Sequence, residues 1–204
     1  MIPPFPQAVL FDMDGTILNP INDGLLEFKI RWGIATDQLI VPNLPNLPDQ
    51  ASDEYNQLAE SEAVNSTLRD GVRELLESLK AANIKTALVT NNSGLSMKTV
   101  LTKHRIGFDL ELSRDDAAMK PAPDMLLLAL EKLEVSPSHA IMVGDTSPDV
   151  GSARAAGIPT CLLLAEPWNE LLEREEPGFQ ALRLRGIAQV QEHLQRTRTL
   201  TAAI

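Results

Sequence analysis

The chain alternates between two kinds of apolar pattern. Short, mostly apolar runs recur at Ala8-Val9-Leu10-Phe11 and at residues 84–90, 140–145 and 159–164. Between them, apolar residues fall three and four apart, as in Leu68, Val72, Leu75, Leu76, Leu79 and Ala82. Short continuous runs suit strands covered on both faces, whereas spacing near 3.6 residues marks one face of a helix. The alternation predicts helices over 68–82, 95–104, 124–133 and 150–156. It also predicts a weaker strand at 109–113, an edge strand at 178–184 and a last helix at 187–196. Strands and helices in this order imply an α/β fold with a doubly wound parallel sheet.

One segment breaks the rhythm. Residues 18–67 carry far more acidic than basic side chains, Lys29 and Arg31 being the only cations. They hold a proline-rich stretch, Val41-Pro42-Asn43-Leu44-Pro45-Asn46-Leu47-Pro48, between two helical patches at 24–32 and 52–64. The expected organisation is therefore a core domain built from 1–17 and 68–204, with 18–67 as a small helical insertion.

A length of 204 residues with 44% hydrophobic content supports a sizeable core. The net charge of -10 disfavours nucleic acid or an anionic membrane as partner, since each calls for a basic patch. Cys161 is the single cysteine and lies in an apolar run, so it reads as a buried structural thiol. Absence of a basic leader followed by a long apolar stretch leads to the expectation of a cytoplasmic protein.

Candidate chemistry gathers where the apolar runs stop. Asp12-Met13-Asp14-Gly15-Thr16, Thr90-Asn91-Asn92, Lys120-Pro121 and Gly144-Asp145-Thr146-Ser147-Pro148-Asp149 each follow a strand or open a helix. Parallel strands place their carboxyl ends on one edge, so these clusters are expected to converge on one crevice. Gly15 lets the chain bend between Asp12 and Asp14, giving two carboxylates different surroundings. Crowded acids repel unless one takes a proton or a cation intervenes, and hard oxygen donors without Cys or His suit Mg2+. Bland readings coexist with this one. Thr90 and Asn91 also fit a helix cap, Lys120 a solvated loop, and Asp149 a helix N-terminal charge.

The motifs DMDGT, TNNS, KP and GDTSPD, in this order, resemble the four signatures of the haloacid dehalogenase superfamily. The segment around Gly144 to Gly157 is similar to phosphoglycolate phosphatase-like members. The resemblance implies a Rossmann-like core with a helical cap inserted after the first motif. It implies Asp12 as nucleophile and Asp14 as acid and base. It gives Thr90, Asn91 and Lys120 to the phosphoryl group, with Lys120 expected to matter more to turnover than to folding. Asp12, Asp145 and the Asp14 backbone carbonyl would hold Mg2+, with Asp149 behind them as a metal- or lysine-orienting group. The implied activity is hydrolysis of a small phosphorylated metabolite through an aspartyl-phosphate, by a monomer or homodimer. A phosphosugar mutase and a non-catalytic binding module remain as alternatives. Lys29 and Arg31 are the candidates in the insertion for a second anionic group on the substrate.

Overall fold

A computed structural model describes residues 6–20, 23–36, 38, 40–164 and 174–202. Strands β1 (Ala8–Phe11), β2 (Lys85–Val89), β3 (Leu110–Leu112), β4 (Ala140–Gly144), β5 (Thr160–Leu164), β6 (Arg174–Glu176) and β7 (Phe179–Leu184) form one sheet. Its order is β3-β2-β1-β4-β5-β7-β6, parallel except for β6, which pairs antiparallel with β7. From β1 the chain winds to β2 and β3 on one side and to β4 and β5 on the other. The topological switch therefore falls between β1 and β4, and the crevice outside their carboxyl ends is where such sheets bind ligands.

Both sheet faces are covered, as the uninterrupted apolar strands require. Leu10, Ala87 and Met142 pack under α5 (Asp124–Leu133) and α6 (Ser147–Ala155), with Met125, Leu126, Leu130 and Ala153. Val9, Phe11, Ile141 and Val143 pack on the other face under α3 (Val72–Ala81), α4 (Gly94–His104) and α7 (Ile187–Ala202). Each side chain of β1 is essentially inaccessible, so the strand ending at the first motif is anchored along its whole length.

Two expectations need correction. The strand at 178–184 is not an edge, because β7 lies between β5 and β6 and pairs parallel with the former. The helix expected from Leu68 starts at Val72, because Gly71 adopts a left-handed backbone (φ 85) that ends the preceding turn. Thus Leu68 belongs instead to a short antiparallel bridge with Leu18.

That bridge is where the segment 18–67 leaves and returns. The Asn19 N–H donates to the Thr67 carbonyl (2.9 Å), and the Arg69 N–H donates to the Ile17 carbonyl (2.9 Å). Between these crossings lie α1 (Asp23–Trp32), a 3-10 turn at Val41–Asn46 where the proline-rich loop was expected, and α2 (Asp49–Asn65). Phe28, Ile34, Ile40, Leu44, Ala51 and Tyr55 make a small core of their own. Meanwhile the far end of α2 packs on α4 and contributes Ala63 to the sheet-side core. No described helix is long and apolar enough to cross a membrane.

Candidate active site

Asp12 follows β1 directly, held by its N–H donating to the Val143 carbonyl (2.9 Å). The chain then turns sharply through Met13–Ile17, with Gly15 at φ 72. This glycine is needed twice over, for its left-handed backbone and for space. A Cβ on Gly15 would lie 2.1 Å from the Asp145 Oδ2. The third strand-end acid is thus packed against the first motif. Arg69 braces the turn from outside, its Nε and NH2 donating to the Gly15 carbonyl at 3.0 and 2.7 Å.

Lys120 is the hub of the buried polar group. Its Nζ donates to Asp12 Oδ1 at 2.5 Å and to Asp149 Oδ1 at 2.7 Å, in near-complete burial. Asn91 fixes the lysine backbone with two bonds: Nδ2 donates to the Lys120 carbonyl (2.8 Å), and its Oδ1 accepts from the Lys120 N–H (2.9 Å). The Asn91 side chain is therefore spent on placing Lys120. Thr90, fully buried at the end of β2, accepts the Asn92 N–H on its Oγ1 (3.1 Å).

Asp149 closes the arrangement from α6. Its Oδ2 accepts from the Asp145 N–H (3.2 Å), the Thr146 N–H (3.0 Å) and the Thr146 hydroxyl (2.8 Å), reaching back over the start of its own helix. Gly144 makes room for this, since a Cβ there would sit 2.5 Å from the Asp149 carboxyl carbon. Asp149 thus meets the start of its own helix with one carboxylate oxygen and Lys120 with the other.

Asp14 goes elsewhere. Its carboxylate opens to solvent at the mouth of the crevice and accepts from Asn92 Nδ2 at 2.6 Å. Asn92 belongs to the Thr90-Asn91-Asn92 cluster, but nothing in its spacing distinguishes it from Asn91 as the partner of Asp14.

The electrostatics separate the two lead acids. Burial raises the Asp12 carboxyl most; Lys120 opposes that rise, and Asp149 and Asp14 add to it, leaving it at about 7. Although Asp14 reaches the surface, partial loss of water around its carboxyl, then the Glu62 charge, pushes it up to about 6 against the opposing pull of Lys120 and Asn92. Asp145 is raised well above the carboxylate range by burial and then by Asp12 and Asp149. Burial works against the Lys120 charge, but Asp12 and Asp149 outweigh it and hold the ammonium charged. More negative charge is buried here than one lysine balances.

A divalent cation fits that excess. Asp12, Asp145 and Asp149 each offer a carboxylate oxygen within 4.8 Å of the others, all three buried. Asp149 is already saturated by Lys120 and the helix start, so Asp12 and Asp145 are the side chains suited to the ion. The donors are hard oxygens, as Mg2+ requires.

Helix α2 brings Tyr55 and Glu62 within range of the Asp14 charge. Tyr55 on α2 lies beneath the Arg114 guanidinium, 5.8 Å from ring centroid to Cζ. Glu62, two turns further along α2, is pushed up to about 7 by burial, and its Oε1 has no hydrogen-bond partner. Lys29 and Arg31 are occupied within the insertion. Lys29 Nζ donates to the Thr36 carbonyl (2.8 Å) and Arg31 pairs with Glu54 (2.5 Å). A separate groove of about 730 Å3, lined by Arg73, Lys80, Arg105 and Phe108, opens at the start of β2. None of the four motifs reaches it.

The model of the haloacid dehalogenase-like hydrolase family matches residues 29–157, from the insertion to the end of α6. The chain belongs to this family. The phosphoglycolate phosphatase of Xylella fastidiosa is 29% identical over 191 residues, covering 78% of this chain and 81% of the relative. The N-acetylmuramic acid 6-phosphate phosphatase of Pseudomonas aeruginosa is 29% identical over 189 residues, covering 76% and 80%. A hydrolase from Pseudomonas syringae has the same fold, with TM-score 0.73, 20% identity, and 94% and 98% of the two chains covered. The haloacid dehalogenase fold and membership expected from DMDGT, TNNS, KP and GDTSPD are thus established.

Proposed function

We propose that this hydrolase is a Mg2+-dependent phosphomonoesterase acting on a small phosphorylated metabolite through an aspartyl-phosphate. One observation carries the reading: two aspartates two residues apart have opposite surroundings, Asp12 buried against Lys120 and Asp14 at the crevice mouth on Asn92. Acids kept apart in this way suit different roles in one reaction.

In the first step an Asp12 carboxylate oxygen attacks phosphorus and the bond to the leaving oxygen breaks, with Asp14 donating its proton to that oxygen. Water then attacks phosphorus, Asp14 takes a proton from the water, and the Asp12–phosphorus bond breaks. Dividing the displacement this way replaces one difficult step by two easier ones. The value of about 6 for Asp14 suits a group that gives a proton and recovers it near neutrality. Lys120 holds Asp12 in place and offsets charge on the phosphoryl oxygens, and the Thr90 hydroxyl and the Asn91 backbone lie beside them. Mg2+, held by Asp12, Asp145 and the Asp14 carbonyl, would neutralise the acids and polarise the phosphoryl group.

Segment 18–67 acts in this reading as the cap that covers the leaving-group side. Phosphatase names among the relatives support the reaction class, and their two different substrates leave the choice of metabolite to the cap. A screen of phosphorylated metabolites with Mg2+, reading released phosphate, tests the proposal; no release from any of them contradicts it.

A further inference from the structure

Arg114 is a half-buried cation held entirely by neutral groups. Its NH2 donates to Asn56 Oδ1 at 2.7 Å, and its guanidinium lies over the Tyr55 ring. Among the described residues no carboxylate pairs with it, in a chain carrying ten excess negative charges. The cations around the crevice are otherwise engaged. Lys120 is taken by two aspartates, Arg69 holds the Gly15 carbonyl, and Lys103 donates to the Val64 and Ser66 carbonyls.

The backbone of Arg114 is tied to the site. Its own N–H donates to the Asn92 carbonyl (3.1 Å), tying it to the loop whose Asn92 side chain holds Asp14. The acids that follow it are consumed in pinning this loop. Asp115 Oδ2 accepts the Gly94 N–H (2.8 Å), and Asp116 Oδ2 accepts the Ser113 N–H (2.8 Å) and hydroxyl (2.9 Å). Stacking on an aromatic face leaves the remaining edge of a guanidinium free to meet a carboxylate in the bidentate geometry that lysine lacks. The two residues that seat it, Tyr55 and Asn56, are on α2, the helix that also carries Glu62.

We infer that Arg114, seated by Tyr55 and Asn56, receives a second anionic group of the substrate, so that the preferred substrates are phosphomonoesters bearing a carboxylate. The inference rests on the phosphomonoesterase reading and narrows it. It also moves the expected anion-recognition role from Lys29 and Arg31 on the insertion to a core loop.

The test uses carboxyalkyl phosphates of increasing length, starting with phosphoglycolate, against hydroxyalkyl phosphates of equal length, with Mg2+. The wild type is expected to favour the carboxylates. In Arg114→Gln the ratio of kcat/KM between the two series falls at least tenfold, with KM carrying the fall. Asn56→Ala removes one seat and keeps the charge, so it gives a smaller fall in the same direction and serves if the first variant does not fold. An unchanged ratio in Arg114→Gln, or a wild type that hydrolyses both series equally, overturns this inference alone. A wild type that hydrolyses neither overturns the phosphomonoesterase reading, and this inference with it.

Discussion

Lys120 lies between two buried carboxylates, and burial decides what its removal does. Lys120→Ala should slow turnover a hundredfold or more, on the order of 3 kcal/mol of transition-state stabilisation. Stability should fall as well, because Asp12 and Asp149 lose their counter-ion, and breaking a buried pair typically costs about 3–5 kcal/mol. Steady-state kinetics and thermal melting of the one variant check both; a melting temperature equal to wild type would return the lysine to the solvated loop. Glu62 offers a test of sign. Its carboxyl stands at about 7 in the folded chain against an ordinary 4.5. Between those values the folded chain binds more of this proton than the unfolded one, so stability falls as pH rises through that window. Glu62→Gln should therefore melt above wild type at pH 8, with the difference gone below about pH 4.5; a lower-melting variant at pH 8 would contradict this. Asp12, Asp14 and Asp145 were visible in the sequence because aspartates that end apolar runs stand out. Arg69 and Arg114 were not, since a single polar residue in a polar loop carries no periodic signal, and Asn92 stood in a candidate cluster with no role of its own. The neighbours Asn91 and Asn92 are chemically identical, and only the direction of the backbone decides which holds Lys120 and which holds Asp14.

Helix α2 joins the insertion to the core, and its C-terminal end is locked down. Lys103 Nζ donates to the Val64 carbonyl (2.6 Å) and the Ser66 carbonyl (2.5 Å), where helix carbonyls lack internal partners. Lys103→Ala should cost about 1 kcal/mol and about 2–4 °C in melting temperature, as charge-assisted bonds at a helix end do. No shift would mean that packing of α2 on α4 alone sets its position. At this scale most of the chain was legible, because continuous runs and 3.6-residue spacing are strong signals in β1, β2, β4, β5 and α5. The signal failed where tertiary context decides. Whether 178–184 is an inner or an edge strand depends on β6 joining its far side, and pairing partners are not written in a strand's own pattern. The start of α3 likewise turned on one left-handed glycine at the hinge.

The whole molecule brings four clusters, scattered from residue 12 to residue 149, to one sheet edge around an excess of buried negative charge. Hydrolysis should therefore require Mg2+ and cease in EDTA, and Ca2+ should inhibit through its looser, higher coordination. Full activity in chelator would contradict the metal assignment. Mg2+ should also raise the melting temperature, because a ligand that binds only the folded chain stabilises it. The convergence could be expected from the sequence because parallel strands share a polarity. The substrate side could not, because it depends on how α2 sits against the loop that carries Arg114. The central claim is the division of labour between two aspartates, and phosphoenzyme labelling tests it most directly. After rapid quench with an activated phosphate substrate, Asp14→Asn should retain acid-stable, hydroxylamine-labile label, since it keeps the nucleophile and lacks the base for water attack. Asp12→Asn should show no label and no turnover. Label on Asp12→Asn, or continued turnover by it, would contradict the account.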